Sequence, residues 1–145
     1  MRLIIQRVKS ASVFIKEKKF SSINGGLLCF IAFSNDDTKD DLIWAVNKIL
    51  KLKLFINNQS VEEVGGELLF VSQFTLFASI KKGTKPSWSR AAKPTISKDL
   101  YHNFINLFKE ISENNIKTGV FGADMDVQLI NNGPLTLIID TKQRE

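Results

Sequence analysis

"LINNGPLTLIID", residues 129–140, sets Asn132-Gly133-Pro134 between two apolar runs. Asn-Gly in that setting is a strong signal for a two-residue hairpin, yet proline cannot donate to the ladder that a returning strand needs. From composition alone the stretch reads as an awkward turn between two strands. Whether its Gly-Pro pair is turn punctuation or a functional device stays open at this level.

Outward from it, "TGVFGADMDVQLI" (118–130) alternates at Met125, Val127 and Leu129 and predicts another strand. "SKDLYHNFINLFKEIS" (97–112) predicts a helix capped by Ser97, with Leu100, Phe104, Leu107, Phe108 and Ile111 on its apolar face. Further back, "ELLFVSQFTLFA" (67–78) is continuously apolar and predicts a buried central strand. "NDDTKDDLIWAVNKILKLKLF" (35–55) offers Asp and Asn for an N-cap, acids in the first turn and lysines toward the end, which predicts a first helix. The N-terminal third holds two strand-like runs, 2–15 and 26–34, separated by a polar segment that reads as a turn. Strands before, between and after two helices predict a mixed α/β (α+β) single domain over residues 1–145, a layered sandwich of β-sheets with two main helices on one face.

The 145 residues are 43% hydrophobic and 24% charged, ordinary values for a globular chain. No apolar run approaches the ~20 residues that cross a bilayer, and the apolar start is too short for a signal peptide. The expected compartment is the cytoplasm, with no membrane partner. One cysteine, Cys29, excludes an internal disulfide, and one histidine, His102, leaves no His/Cys zinc cluster. No metal and no cofactor are expected. His102 sits inside a predicted helix, away from the loops, so a Ser-His-Asp triad is not expected either. The net charge of +5 suits a polyanionic partner, and a lysine-rich composition without such a partner gives the same balance.

Two segments carry chemistry. In "VSQFTLFA" (71–78), Ser72, Gln73 and Thr75 place three hydrogen-bonding side chains in an apolar run, where an unpaired polar group costs about 1 to 3 kcal/mol. Either the structure or a ligand must satisfy them. The loop "KKGTKPSWSRAAK" (81–93) brings Lys81, Lys82, Lys85, Arg90 and Lys93 together around Trp88 without an acid. Bases for phosphates and an aromatic face for stacking suit the end of a single-stranded nucleic acid, whereas a solvated loop with Trp88 tucked into the core is the structural alternative.

Three patches together, "QRVKSASV" (6–13), "VSQFTLFASIKKGTKPSWSRAA" (71–92) and "FGADMDVQLINNGPLTLIID" (121–140), resemble the D-aminoacyl-tRNA deacylase family. The likeness runs from residue 1 to about 140 and includes both the Ser-Gln-Phe-Thr and the Asn-x-Gly-Pro-x-Thr motifs. It implies a homodimeric hydrolase of the ester between a D-amino acid and the 3′ end of tRNA. By the same resemblance, Gly133 and Pro134, joined by a cis peptide, enter the partner subunit's pocket and exclude L side chains, and Arg7 orients them. Glycine has no side chain to exclude, so Gly-tRNA is an expected further substrate. Ser72, Gln73, Phe74 and Thr75 are the candidate catalytic residues, with backbone N–H groups around Phe74 and Thr75 as oxyanion donors. The 2′-hydroxyl of the terminal adenosine is implied to assist. Thr75 as a covalent nucleophile is the rival reading, without a visible base to activate it. Lys81, Lys82, Lys85, Trp88 and Arg90 are the candidate tRNA contacts.

Overall fold

The chain does not turn back at Asn132-Gly133-Pro134. In the computed structural model, which describes residues 1–144, Asp126–Asp140 form one long strand (β6) running antiparallel to β1, Arg2–Ile15. Gln6 pairs with Thr136 and Val8 with Asn131, so residues 132–135 all stand opposite Arg7. The predicted hairpin is therefore a wide bulge within a single strand. A bulge releases residues from the ladder, which is where a proline without an N–H is tolerated. The Gly133–Pro134 peptide bond is cis.

Along its other edge β1 has two successive partners. Residues 2–8 pair with β3 (Gly26–Ala32), and residues 11–15 pair with β2 (Lys18–Ile23). β2 occupies the polar segment expected to be only a turn. Exposed on both sides for most of its length, it shows no apolar alternation, and its lysines suit a sheet edge. β3 runs parallel to β4 (Glu67–Ser72), and β4 parallel to the short β5 (Ile116–Thr118). Parallel neighbours need long crossovers, which the helices α1 (Lys39–Lys51) and α2 (Pro94–Ile111) supply.

All six strands are hydrogen-bonded into one sheet, and its curl makes the layers. Ser21 Oγ of β2 donates to the Thr118 carbonyl of β5 at 2.8 Å, tying one end of the sheet towards the other. Leu27, Leu68 and Phe70 face the helices and pack on Val46, Ile49 and Phe104. Leu28, Leu69 and Val71 face the inside of the curl with Val8, Val13 and Ile23. Both faces of β3 and β4 are thus buried, which accounts for their unbroken apolar runs. A register shift between Val8 and Ser10 lets Val8, Ala11 and Val13 all join the second layer.

Three boundaries differ from the sequence expectation. Helix α1 is capped by Thr38 rather than by Asn35 or its neighbouring acids, in a reciprocal capping box with Asp41. Helix α2 begins a turn before Ser97, because Pro94 at its first position has its φ preset for a helix. Strand β4 stops at Ser72, and Phe74–Phe77 form a 3-10 turn instead of continuing it. There the Gln73 side-chain amide bonds Thr75 Oγ1, a local bond that competes with a ladder. No helix among the described residues is long and apolar enough to cross a membrane.

Candidate active site

Where β4 ends, the chain leaves the sheet and opens a cavity of about 640 Å³. The Gln73 N–H still donates to the Ile31 carbonyl of β3 at 2.7 Å, so the exit from the sheet is fixed by the ladder. The carbonyls of Gln73 and Thr75 are taken by the Leu76 and Ala78 N–H groups at 3.2 and 3.0 Å. The N–H groups of Phe74 and Thr75 have no acceptor among the described residues. Two uncommitted donors in succession at a 3-10 start are free to bond an anion or a carbonyl oxygen.

Ser72, Gln73 and Phe74 line the cavity, and Trp88 closes it from the basic loop. The Phe74 and Trp88 rings meet edge to face at 5.5 Å, and both remain well exposed, at 54% and 42%. An exposed aromatic pair at a cavity mouth offers a stacking surface to a planar base. The apolar depth comes from Ile31, Val71, Phe121 and Val127, the polar remainder from Lys93, Ser97 and Asp124. Among the described residues no group of three or more His, Cys, Asp or Glu side chains could hold a metal ion.

The groups with shifted pKa lie elsewhere. Burial drives the Cys29 thiol far above its ordinary range and keeps it a small apolar filler. Burial likewise raises the Tyr101 phenol, whose hydroxyl donates to the Phe70 carbonyl at 3.0 Å.

A family profile described as D-Tyr-tRNA(Tyr) deacylase matches residues 4–140. The chain belongs to that family. Over its full length it is 44% identical to a D-aminoacyl-tRNA deacylase of Flavobacterium johnsoniae and 46% identical to one of Dechloromonas aromatica, each covered completely as well. Among solved structures it is similar to a c-Myc DNA Unwinding Element Binding Protein, with TM-score 0.91 and 33% identity over 97% of this chain and 98% of that one. A probable eukaryotic D-amino acid tRNA deacylase shares the fold, with TM-score 0.84 and 20% identity over 95% and 97% of the two chains.

The residues singled out for this family fall into three places. Ser72, Gln73, Phe74 and Trp88 meet at the cavity. Thr75 does not line it: its hydroxyl is turned to the Gln73 amide. Lys81, Lys82, Lys85 and Arg90 are exposed on the adjoining loop. Arg7, Gly133 and Pro134 lie apart, beside a separate hollow of about 190 Å³ lined by Arg7, Phe55, Ile56, Gln59, Val64 and Asn132. Arg7 Nε donates to the Asn132 carbonyl at 3.2 Å, Nη1 to the Leu54 carbonyl at 2.5 Å, and Nη2 to the Gly133 carbonyl at 3.4 Å. Gly133 and Pro134 are themselves exposed.

Sequence reasoning missed Phe121, Met125, Lys93 and Ser97 as cavity residues. Phe121 and Met125 were legible only as part of the family patch, because the strand expected through them begins at Asp126 and the preceding residues form a turn with Gly122 at φ +77°.

Proposed function

We propose that this chain hydrolyses the ester joining a D-amino acid to the 3′-terminal adenosine of tRNA and spares the L ester. The observation that carries the reading is the turn after β4: two free N–H groups, Phe74 and Thr75, beside a cavity walled by Ser72 and Gln73, in a member of this family. An aminoacyl ester is already activated, so what the site must supply is a place for the developing oxyanion and a held water. The two N–H groups receive the oxyanion as the tetrahedral intermediate forms. Ser72 and Gln73 place the carbonyl and the sugar, the Phe74-Trp88 pair takes the base, and the terminal 2′-hydroxyl helps to position the water.

Backbone donors fit the geometry better than a Thr75 nucleophile. The Thr75 hydroxyl already accepts from Gln73, and no base stands against it among the described residues.

Chiral selection is assigned to Gly133 and Pro134 acting in a second copy of the chain. Their exposure, and their absence from the lining of their own chain's cavity, support a homodimer in which each copy completes the other's site. Carbonyls presented there accept the substrate's α-amino group and leave no room for an L side chain. Glycyl-tRNA has nothing to exclude and is expected to be hydrolysed as well.

The test is deacylation of D-Tyr-tRNA and L-Tyr-tRNA by the purified protein. Turnover of the D ester alone is expected; equal rates with both, or none with either, would overturn the reading.

A further inference from the structure

The turn after β4 is fixed at its start by the ladder, through the Gln73 N–H on the Ile31 carbonyl. Its far end is held by other means. If the 3-10 turn ran on, the Leu76 carbonyl would accept the Ser79 N–H, but that N–H is committed to the Ser87 carbonyl at 2.8 Å. Arg2 takes its place: Nη1 donates to the Leu76 carbonyl at 3.1 Å. The same guanidinium stands over the ring of Phe77, the last residue of the turn, 4.7 Å from its centre. Phe77 is buried yet joins neither hydrophobic cluster of the core.

Arg2 is itself aimed. Its Nε donates to Asp140 Oδ2 at 2.8 Å, and the two residues are register partners across β1 and β6. The other Asp140 oxygen accepts the Lys142 N–H at 2.9 Å, so the carboxylate is oriented from two sides. Along its other edge Arg2 pairs with Ala32 of β3, the neighbour of the Ile31 that fixes Gln73. An ion pair whose side chains are 26% and 14% exposed adds little to folding. A rigid fork that donates in two directions does something else: it orients what it touches, which a lysine cannot do.

We infer that Arg2 is a positioning residue for the candidate active site. By bonding the Leu76 carbonyl and covering Phe77 it sets the orientation of the turn that carries Gln73, Phe74 and Thr75, and Asp140 aims it. Arg2 does not line the cavity, so its effect passes through the turn. The inference rests on the deacylase reading of that turn. Donors aimed at a developing oxyanion are sensitive to placement, and a shift of about 1 Å can cost up to about a hundredfold in rate. The two arginines of β1 divide the work: Arg7 holds the bulge of β6, and Arg2 holds the turn after β4.

The experiment follows D-Tyr-tRNA deacylation by the full chain carrying Arg2→Lys, Arg2→Gln, Asp140→Asn, or Arg2→Gln with Asp140→Asn. Arg2→Gln is expected to lower kcat about tenfold, less than the loss of an oxyanion donor itself, with KM and the rejection of L-Tyr-tRNA unchanged. Arg2→Lys keeps the charge without the fork and is expected to fall between Arg2→Gln and the unaltered protein. The double variant is expected to be no slower than Arg2→Gln, because Asp140 acts through Arg2. Variants that melt earlier while each folded molecule keeps its full kcat overturn the inference, and so do losses that multiply in the double variant. If the Arg2 variants do not fold, Asp140→Asn carries the test: shifted Phe74 and Thr75 amide resonances with a lowered kcat support the inference, and unmoved resonances refute it. An unaltered protein that hydrolyses neither the D nor the L ester refutes the deacylase reading instead. The positioning is then decided by the same two resonances in Arg2→Lys, which shift if Arg2 sets the turn and stay in place if it does not.

Discussion

Arg7 Nε donates to the carbonyl of Asn132 at 3.2 Å, across 125 positions of sequence, at the point where β1 faces the bulge of β6. The same guanidinium reaches the Leu54 and Gly133 carbonyls, so one cation holds three carbonyls from two segments of backbone. Arg7→Ala leaves those carbonyls without their donor. A loss of about 1 to 3 kcal/mol in stability is expected, the usual range for bonds to a charged group. On the proposed reading, discrimination between D and L esters falls further than the rate on the D ester. Urea unfolding and paired deacylation assays measure the two effects separately.

Thr75→Ala keeps the backbone N–H and removes the hydroxyl. If backbone donors do the work, turnover drops modestly, by about tenfold or less, because the Gln73 amide is left without its acceptor. Loss of essentially all turnover with intact tRNA binding would favour the nucleophile. Single-turnover kinetics with D-Tyr-tRNA decides between them.

Charge reversal of Lys81, Lys82 and Lys85 to Glu tests the loop beside the cavity. Every phosphate deprived of its lysine should flatten the slope of log affinity against log salt by about one. Tight, unaltered binding at low salt would remove this loop from the tRNA interface.

How much of this was legible in the sequence depends on what a residue's pattern records. Periodicity located both helices and most strands, since α1 and α2 bury one face each. It missed β2, which buries almost nothing, and it carried β4 past Ser72, because Phe74 and Phe77 continue the apolar run after the backbone has left the sheet. Ser72, Gln73 and Thr75 were visible as polar groups in apolar company, and the first two of them line the cavity. Ser97 was noticed for the wrong reason: a serine at a helix start reads as a cap, and only the position of Pro94 shows that it lies a turn inside and faces the cavity.

Asp41 gives a pH prediction. Burial alone would raise its pKa, but hydrogen bonds from Lys142, at 2.6 Å, and from Thr38 outweigh it and hold the carboxyl well below the ordinary carboxylate range. A depressed folded-state pKa contributes stability above the unfolded value, near 4, and that contribution is lost as the pH falls below it. Unfolding free energy should therefore decline from about pH 4 downward. Asp41→Asn should be less stable at neutral pH and should show a shallower acid decline, as read by denaturant titration at several pH values.

The β1–β2 turn offers a stability gain. Lys16 and Glu17 both take positive φ, 49° and 64°, in a two-residue loop where Ile15 pairs with Lys18. Such turns favour Asn-Gly, and replacing Lys16 with Asn and Glu17 with Gly should raise stability by about 0.5 to 1 kcal/mol. A lower melting temperature in the double variant would contradict this.

The bulge of β6 carries a last consequence. Exposed residues of this kind commonly sit on loops, which are mobile. Gly133 and Pro134 are displayed from the middle of a strand, with paired residues of the same two strands locking the chain on either side, Asn131 to Val8 and Thr136 to Gln6. Their position is thus an inherited dimension of the sheet, as a gauge block's is of its steel. On the proposed reading, changes that strain the β1–β6 pairing at Gln6 or Val8 are expected to shift Gly133 and Pro134, and to lower selectivity between D and L esters more than they lower stability.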